Sequence, residues 1–122
     1  MGKKKMRTVI IEREKSFVGS AMKVYVYIKS AVGDVSIAFE KYKLVGVVKN
    51  NEKMEFVISN ADEVIHICYW KSETFYPAIC NIESGSKDIK ITIKPKFNMF
   101  KGHPITITSI EELVTDASVI GA

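Results

Sequence analysis

The feature that most constrains this chain is a two-residue alternation of apolar and polar side chains that returns along most of its length. Ile89, Ile91 and Ile93 alternate with Lys90, Thr92 and Lys94 until Pro95 stops the pattern. Successive side chains of a strand point to opposite faces, so this spacing specifies a strand with one face buried. Met22 to Lys29 repeats it, with Val24, Val26 and Ile28 on one side and Lys23, Tyr25, Tyr27 and Lys29 on the other.

The same reading extends over the rest of the chain. Arg7 to Arg13 is rich in β-branched residues and is followed by a turn at Phe17 to Ser20. This segment and the next are expected to be strands that need not be neighbours. Val35, Ile37 and Phe39 alternate with Ser36, Ala38 and Glu40, and apolar residues resume from Tyr42 to Val48. Asn50 and Asn51 then suit a tight hairpin turn, because Asn tolerates positive φ; Met54, Phe56 and Ile58 continue beyond it. The apolar run Val64 to Trp70 predicts a central strand, with Trp70 in the core. Pro77 cannot donate to a ladder, which pushes Phe75 to Ile82 to a sheet edge or a bulge. Ile105 and Ile107 flank Thr106 in a last strand.

The period changes in the tail. Ser109 followed by Glu112 fits a capping box, and Ile110, Leu113, Ala117 and Ile120 share one helical face before Gly121, predicting a short helix over 109–120. A chain of 122 residues is one domain long, with residues 1–5 a disordered basic end carrying Lys3 to Lys5. Short strands separated by turns predict an all-β fold, an antiparallel β-sandwich of seven or eight strands closed by that helix.

Several classes are excluded as expectations. No apolar run approaches the roughly 20 residues of a membrane span, so no membrane insertion is expected. Arg7, Glu12, Arg13 and Glu14 interrupt what would be the apolar stretch of a signal peptide, which points to a cytoplasmic location. Cys68 and Cys80 lack the spacing of redox or zinc modules and are expected to be reduced and buried. No phosphate-binding glycine loop, nucleophile elbow or zinc-protease motif occurs, so neither enzyme activity nor a cofactor is expected.

The chemistry-bearing residues have ordinary readings. His66 and Cys68 share a strand face, where an imidazole could activate a thiol, yet buried cysteines are usually inert. His103 and Cys80 would complete a zinc set whose separations match no module, so no metal is expected. Ser20 follows the turn residue Gly19, and the pairs Asp62 with Glu63 and Glu111 with Glu112 fit solvation and a helix start. The candidate binding surface is Lys23, Tyr25, Tyr27 and Lys29, since cations interleaved with aromatic faces suit single-stranded nucleic acid. Lys90, Lys94, Lys96 and Lys101 would extend it, and Phe75 and Tyr76 would form a rim. A solvated face with tyrosine cross-strand packing accounts for the same pattern.

Two stretches carry a family resemblance. Arg13 to Ala21 running into Lys23 to Ile28, and Leu44 to Asn50 running into Glu55 and Phe56, resemble PEGA-like and related small bacterial β-sandwich modules. The likeness spans Arg7 to Lys94, with an insertion from Ser30 to Lys41, Asn51 in place of the turn glycine, no glycine over Asn60 to Glu63, and His66 displaced from the family histidine. What the resemblance implies is a binding or scaffolding module with no common catalytic residues. The expected function is therefore non-enzymatic interaction with a protein partner or another copy of the chain. The net charge of +4 keeps a second expectation open, an OB-like barrel that binds single-stranded nucleic acid.

Overall fold

The computed structural model describes residues 6–17, 21–33, 35–37, 40–69, 78–95 and 105–113. Alternating segments become nine strands among them: β1 (Met6–Arg13), β2 (Val24–Lys29), β3 (Val35–Ile37), β4 (Glu40–Val48), β5 (Lys53–Ser59), β6 (Glu63–Cys68), β7 (Ala78–Ile82), β8 (Ile89–Pro95) and β9 (Ile105–Glu112). They lie in two sheets. One has the order β5-β1-β8-β9 and the other β3-β4-β2-β6-β7. The core between them takes Val9, Ile11 and Ile91 from the first sheet and Val26, Ile65 and Ile67 from the second, all completely buried. The fold is the expected all-β, sandwich-like architecture.

Four details differ from the sequence reading. First, β1 and β8 run parallel, Val9 facing Ile89 and Arg13 facing Ile93, so the first sheet is mixed rather than antiparallel. Second, the turn at Asn50 and Asn51 does not close a hairpin. Asn51 takes the expected positive φ of 62°, but β4 pairs with β2 and β5 with β1, so the chain crosses from one sheet to the other there. The corner is tied by Glu52 N–H donating to the Lys49 carbonyl at 3.1 Å and by Arg13 N–H donating to the Glu52 carbonyl at 2.9 Å.

Third, Ser109 to Glu112 are strand, not the start of a helix. They pair with Ile89 to Thr92 of β8, which otherwise would leave a row of backbone groups unpaired beside β1, and ladder formation overrides the local capping signal. Leu113 is not helical either, its N–H donating to the Asp88 carbonyl at 2.7 Å; the predicted helix beyond it, like residues 1–5, Trp70, Phe75, Tyr76 and His103, lies outside the described residues. Fourth, β2 is buried on both faces rather than one.

Other placements agree. The segment with Pro77 before it, β7, is an edge strand, and β6 lies inside its sheet between β2 and β7. Gly46 sits opposite Val26 on the core side, where an added Cβ would collide with the Met54 side chain of β5. Its missing side chain lets the two sheets approach at the corner.

Candidate functional site

The outward face of the second sheet is where the predicted surface falls. Tyr25 and Tyr27 of β2 stand opposite Cys68 and His66 of β6, and Leu44 of β4 flanks Tyr27 on the other side. Parity is as expected, but exposure is not. Tyr27, Tyr42 and Cys68 form a second buried cluster, with Tyr25, Val35 and Leu44 packed against it. Tyr27 is completely buried, and burial pushes its hydroxyl pKa up to about 12. It offers no ring to a nucleobase.

The flanking cations do not gather there either. Lys23 is exposed, whereas Lys29 is held by Glu40 at 2.9 Å. Lys90 and Lys94 belong to β8 in the other sheet, and Lys90 stands 3.6 Å from Glu12. Lys96 and Lys101 lie outside the described residues. The six-residue candidate surface therefore reduces to exposed Lys23, half-buried Tyr25 and paired Lys29 around the buried Tyr27.

His66 is the polar centre of this cluster. It is only 4% exposed, its ring meets the Tyr42 ring edge-on at 5.2 Å, and neither ring nitrogen has a hydrogen-bond partner. With no bond from the imidazole to the Cys68 sulfur, a thiol–imidazole pair is not assembled. Burial holds the His66 pKa below its ordinary value, keeping the ring neutral. Cys80 lies on the opposite, core side of the same sheet, where burial pushes its thiol up, and neither cysteine is in a disulfide. Among the described residues no three His, Cys, Asp or Glu side chains are grouped to hold a metal ion. The carboxylates singled out earlier do structural work: Asp62 accepts from Ser84 N–H at 2.7 Å and Glu63 from the Ser59 hydroxyl at 2.6 Å.

Two buried arginines are the residues that sequence reading missed, although the parity of Arg7, Val9, Ile11 and Arg13 marks them. All four share the inward face of β1. Arg13 donates to the carbonyls of Met22 at 2.7 Å and Val48 at 3.1 Å, securing the corner, and burial lowers its pKa. Arg7 is 3% exposed. Its Nε donates to the Ser59 carbonyl at 3.0 Å and its Nη2 to the Ala61 carbonyl at 2.9 Å.

Solvent-facing apolar groups lie at the sheet borders. Val57 of β5 is 55% exposed and Met6 of β1 46%, and they are diagonal neighbours, since Met6 faces Ser59 and Thr8 faces Val57. On the other side of the same sheet Ile110 of β9 is 52% exposed. Beside it a cleft of about 260 Å³ opens between β7 and β9. Among the described residues no helix is long and apolar enough to cross a membrane.

No protein-family model matches the chain, and no curated protein matches it. Among solved structures, it is similar to an NMR structure of a protein from Eubacterium rectale, at 9% identity and a TM-score of 0.44, over 89% of this chain and 94% of that one.

Proposed function

We propose that this domain is a non-enzymatic interaction module that joins a second copy of itself through the edge strand β5. The observation that carries the reading is the character of that edge: seven residues that, among the described residues, have a strand neighbour, β1, on one side only, next to the exposed pair Val57 and Met6. An exposed edge is a template for another strand, its main-chain groups supplying affinity and its side chains register. Met54 and Phe56 on the inward side are only partly buried, so a second β5 would extend the core as well as the sheet.

The side chains favour one antiparallel register. Phe56 opposite Phe56 places Lys53 against Ser59 and Glu55 against Val57, with no like charges facing. Sliding to Glu55 opposite Glu55 sets two carboxylates face to face, which is unfavourable. The role agrees with what the resemblance to PEGA-like modules implies. The nucleic-acid alternative has no open tyrosine surface among the described residues.

Light-scattering mass over a concentration series tests the reading. The wild type is expected at twice its 13.7 kDa chain mass. Val57→Glu sets Glu opposite Glu55 twice per dimer and should weaken it by roughly tenfold, at about 1 kcal/mol per contact at most; Val57→Lys, which meets Glu55 with opposite charge, should weaken it less. A monomeric wild type, or the reverse order of the two variants, would refute the proposal.

A further inference from the structure

From a different part of the molecule, we propose that the cleft between β7 and β9 binds a small carboxylate bearing a short branched apolar group, with Arg7 Nη1 receiving the carboxylate. Three observations converge on this site. The first is Arg7 itself. The residue is only 3% exposed, and its Nε and Nη2 are occupied by the Ser59 and Ala61 carbonyls. Nη1 has no such acceptor, and it borders the cleft beside Gly85, where an added Cβ would stand 3.4 Å from it. A buried cation whose protein partners are only neutral carbonyls is incompletely compensated, and a carboxylate matches the open side of its donor fork.

The second observation is an inward-facing residue that is not covered. Ile110 pairs with Ile91, which is completely buried, yet Ile110 itself is 52% exposed. The two sheets thus part at the β7 and β9 edges, and Ile82, Ile89 and Ile110 make an apolar wall beside Arg7. Removing an apolar group from water against that wall is favourable without any new polar contact.

The third is size. The cleft of about 260 Å³ is smaller than the roughly 300–1,000 Å³ of drug-sized sites, so it suits a short branched acid or the last residue of a peptide. Glu83 and Glu112 also line the cleft, and Lys87 stands 3.8 Å from Glu112 at its exposed mouth. Gly85 is anchored by its N–H donating to the Asn60 carbonyl at 2.9 Å, so the loop wall is held in place before any ligand arrives. The cleft opens at the β9 side of the sheet whose other edge is β5, with Arg7 of β1 reaching the last residue of β5, Ser59; ligand titration and oligomeric mass are separate readouts, so the two proposals fail separately.

Titration followed by backbone amide NMR tests it on the full chain with four probes: isovalerate, isovaleramide, acetyl-glycyl-valine and its carboxamide. Either acid should shift the Ser84, Gly85 and Ile110 amides saturably in the millimolar range, and its amide, which keeps the shape and loses the charge, should bind at least about tenfold more weakly. Preference for isovalerate assigns a free acid; preference for the dipeptide assigns a peptide carboxyl terminus. Replacing Arg7 would also free the Ser59 and Ala61 carbonyls, so the companion variant is Ile110→Glu, which lies at the exposed mouth and should abolish binding while leaving thermal stability unchanged. No saturable shift with either acid, equal binding of acid and amide, or undiminished binding by Ile110→Glu would overturn the assignment.

Discussion

Replacing His66 by Phe is expected to stabilise the protein, and to do so more in acid than at neutral pH. The imidazole is buried with both nitrogens lacking a partner, and each unmade hydrogen bond costs roughly 1–3 kcal/mol. Phe removes both polar atoms and keeps a ring against Tyr42, while its larger ring costs roughly 1–3 kcal/mol in overpacking. The net gain at about pH 7.5 is then about 2 kcal/mol, taking the middle of each range. The pH dependence follows from the lowered pKa of His66 in the folded chain, against the ordinary 6.5 when unfolded. Its favourable contribution is complete above 6.5, falls as pH drops below that because the unfolded chain takes up the proton first, and levels off once pH is below the folded value. The slope reaches at most about 1.4 kcal/mol per pH unit, so at about pH 5.5 the advantage of the Phe variant should grow by up to that amount. Urea unfolding of both proteins at the two pH values measures it. A variant less stable at both, or a difference that does not change with pH, would refute the reasoning.

Two further substitutions probe the architecture. Ile91→Ala, at a completely buried position, should cost about 2–5 kcal/mol in denaturant unfolding; a loss under about 1 kcal/mol would show that this position is not core. Gly33→Ala would drive a methyl group into the Tyr42 backbone, with the Tyr42 nitrogen 2.9 Å away, and should lower stability by about 1–3 kcal/mol; an unchanged thermal midpoint would show that the β2–β3 turn is not as close to β4 as described.

Side-chain parity was legible along this chain, and so was the location of most strands, because alternation is a local property of a pleated backbone. The opposite faces of Val26 and Tyr27 and the positive φ of Asn51 could be read from one or two residues each. What could not be read depends on partners far away in sequence. Tyr27 points outward as its position requires, yet Tyr42, Leu44 and His66 gather around it, and nothing in Lys23 to Lys29 encodes that. Ser109 and Glu112 satisfy a helix start locally, but β8 supplies seven residues of β9 with ladder partners. The parallel neighbour of β1 is some eighty positions distant, and the corner at Asn51 has the turn residues of a hairpin without its pairing. Arg7 and Arg13 were legible by parity and overlooked because charged residues seldom face a core; the free donor of Arg7, which carries the ligand proposal, depends on where the Ser59 and Ala61 carbonyls fall.

Hydrogen exchange of the β5 amides, measured at low and at high protein concentration, tests the assembly claim most directly. If two copies zip together along Lys53–Ser59, the β5 amides that point away from β1 will slow down as concentration rises while the β8 amides in the sheet interior stay the same. Exchange at β5 that is indifferent to concentration would contradict it.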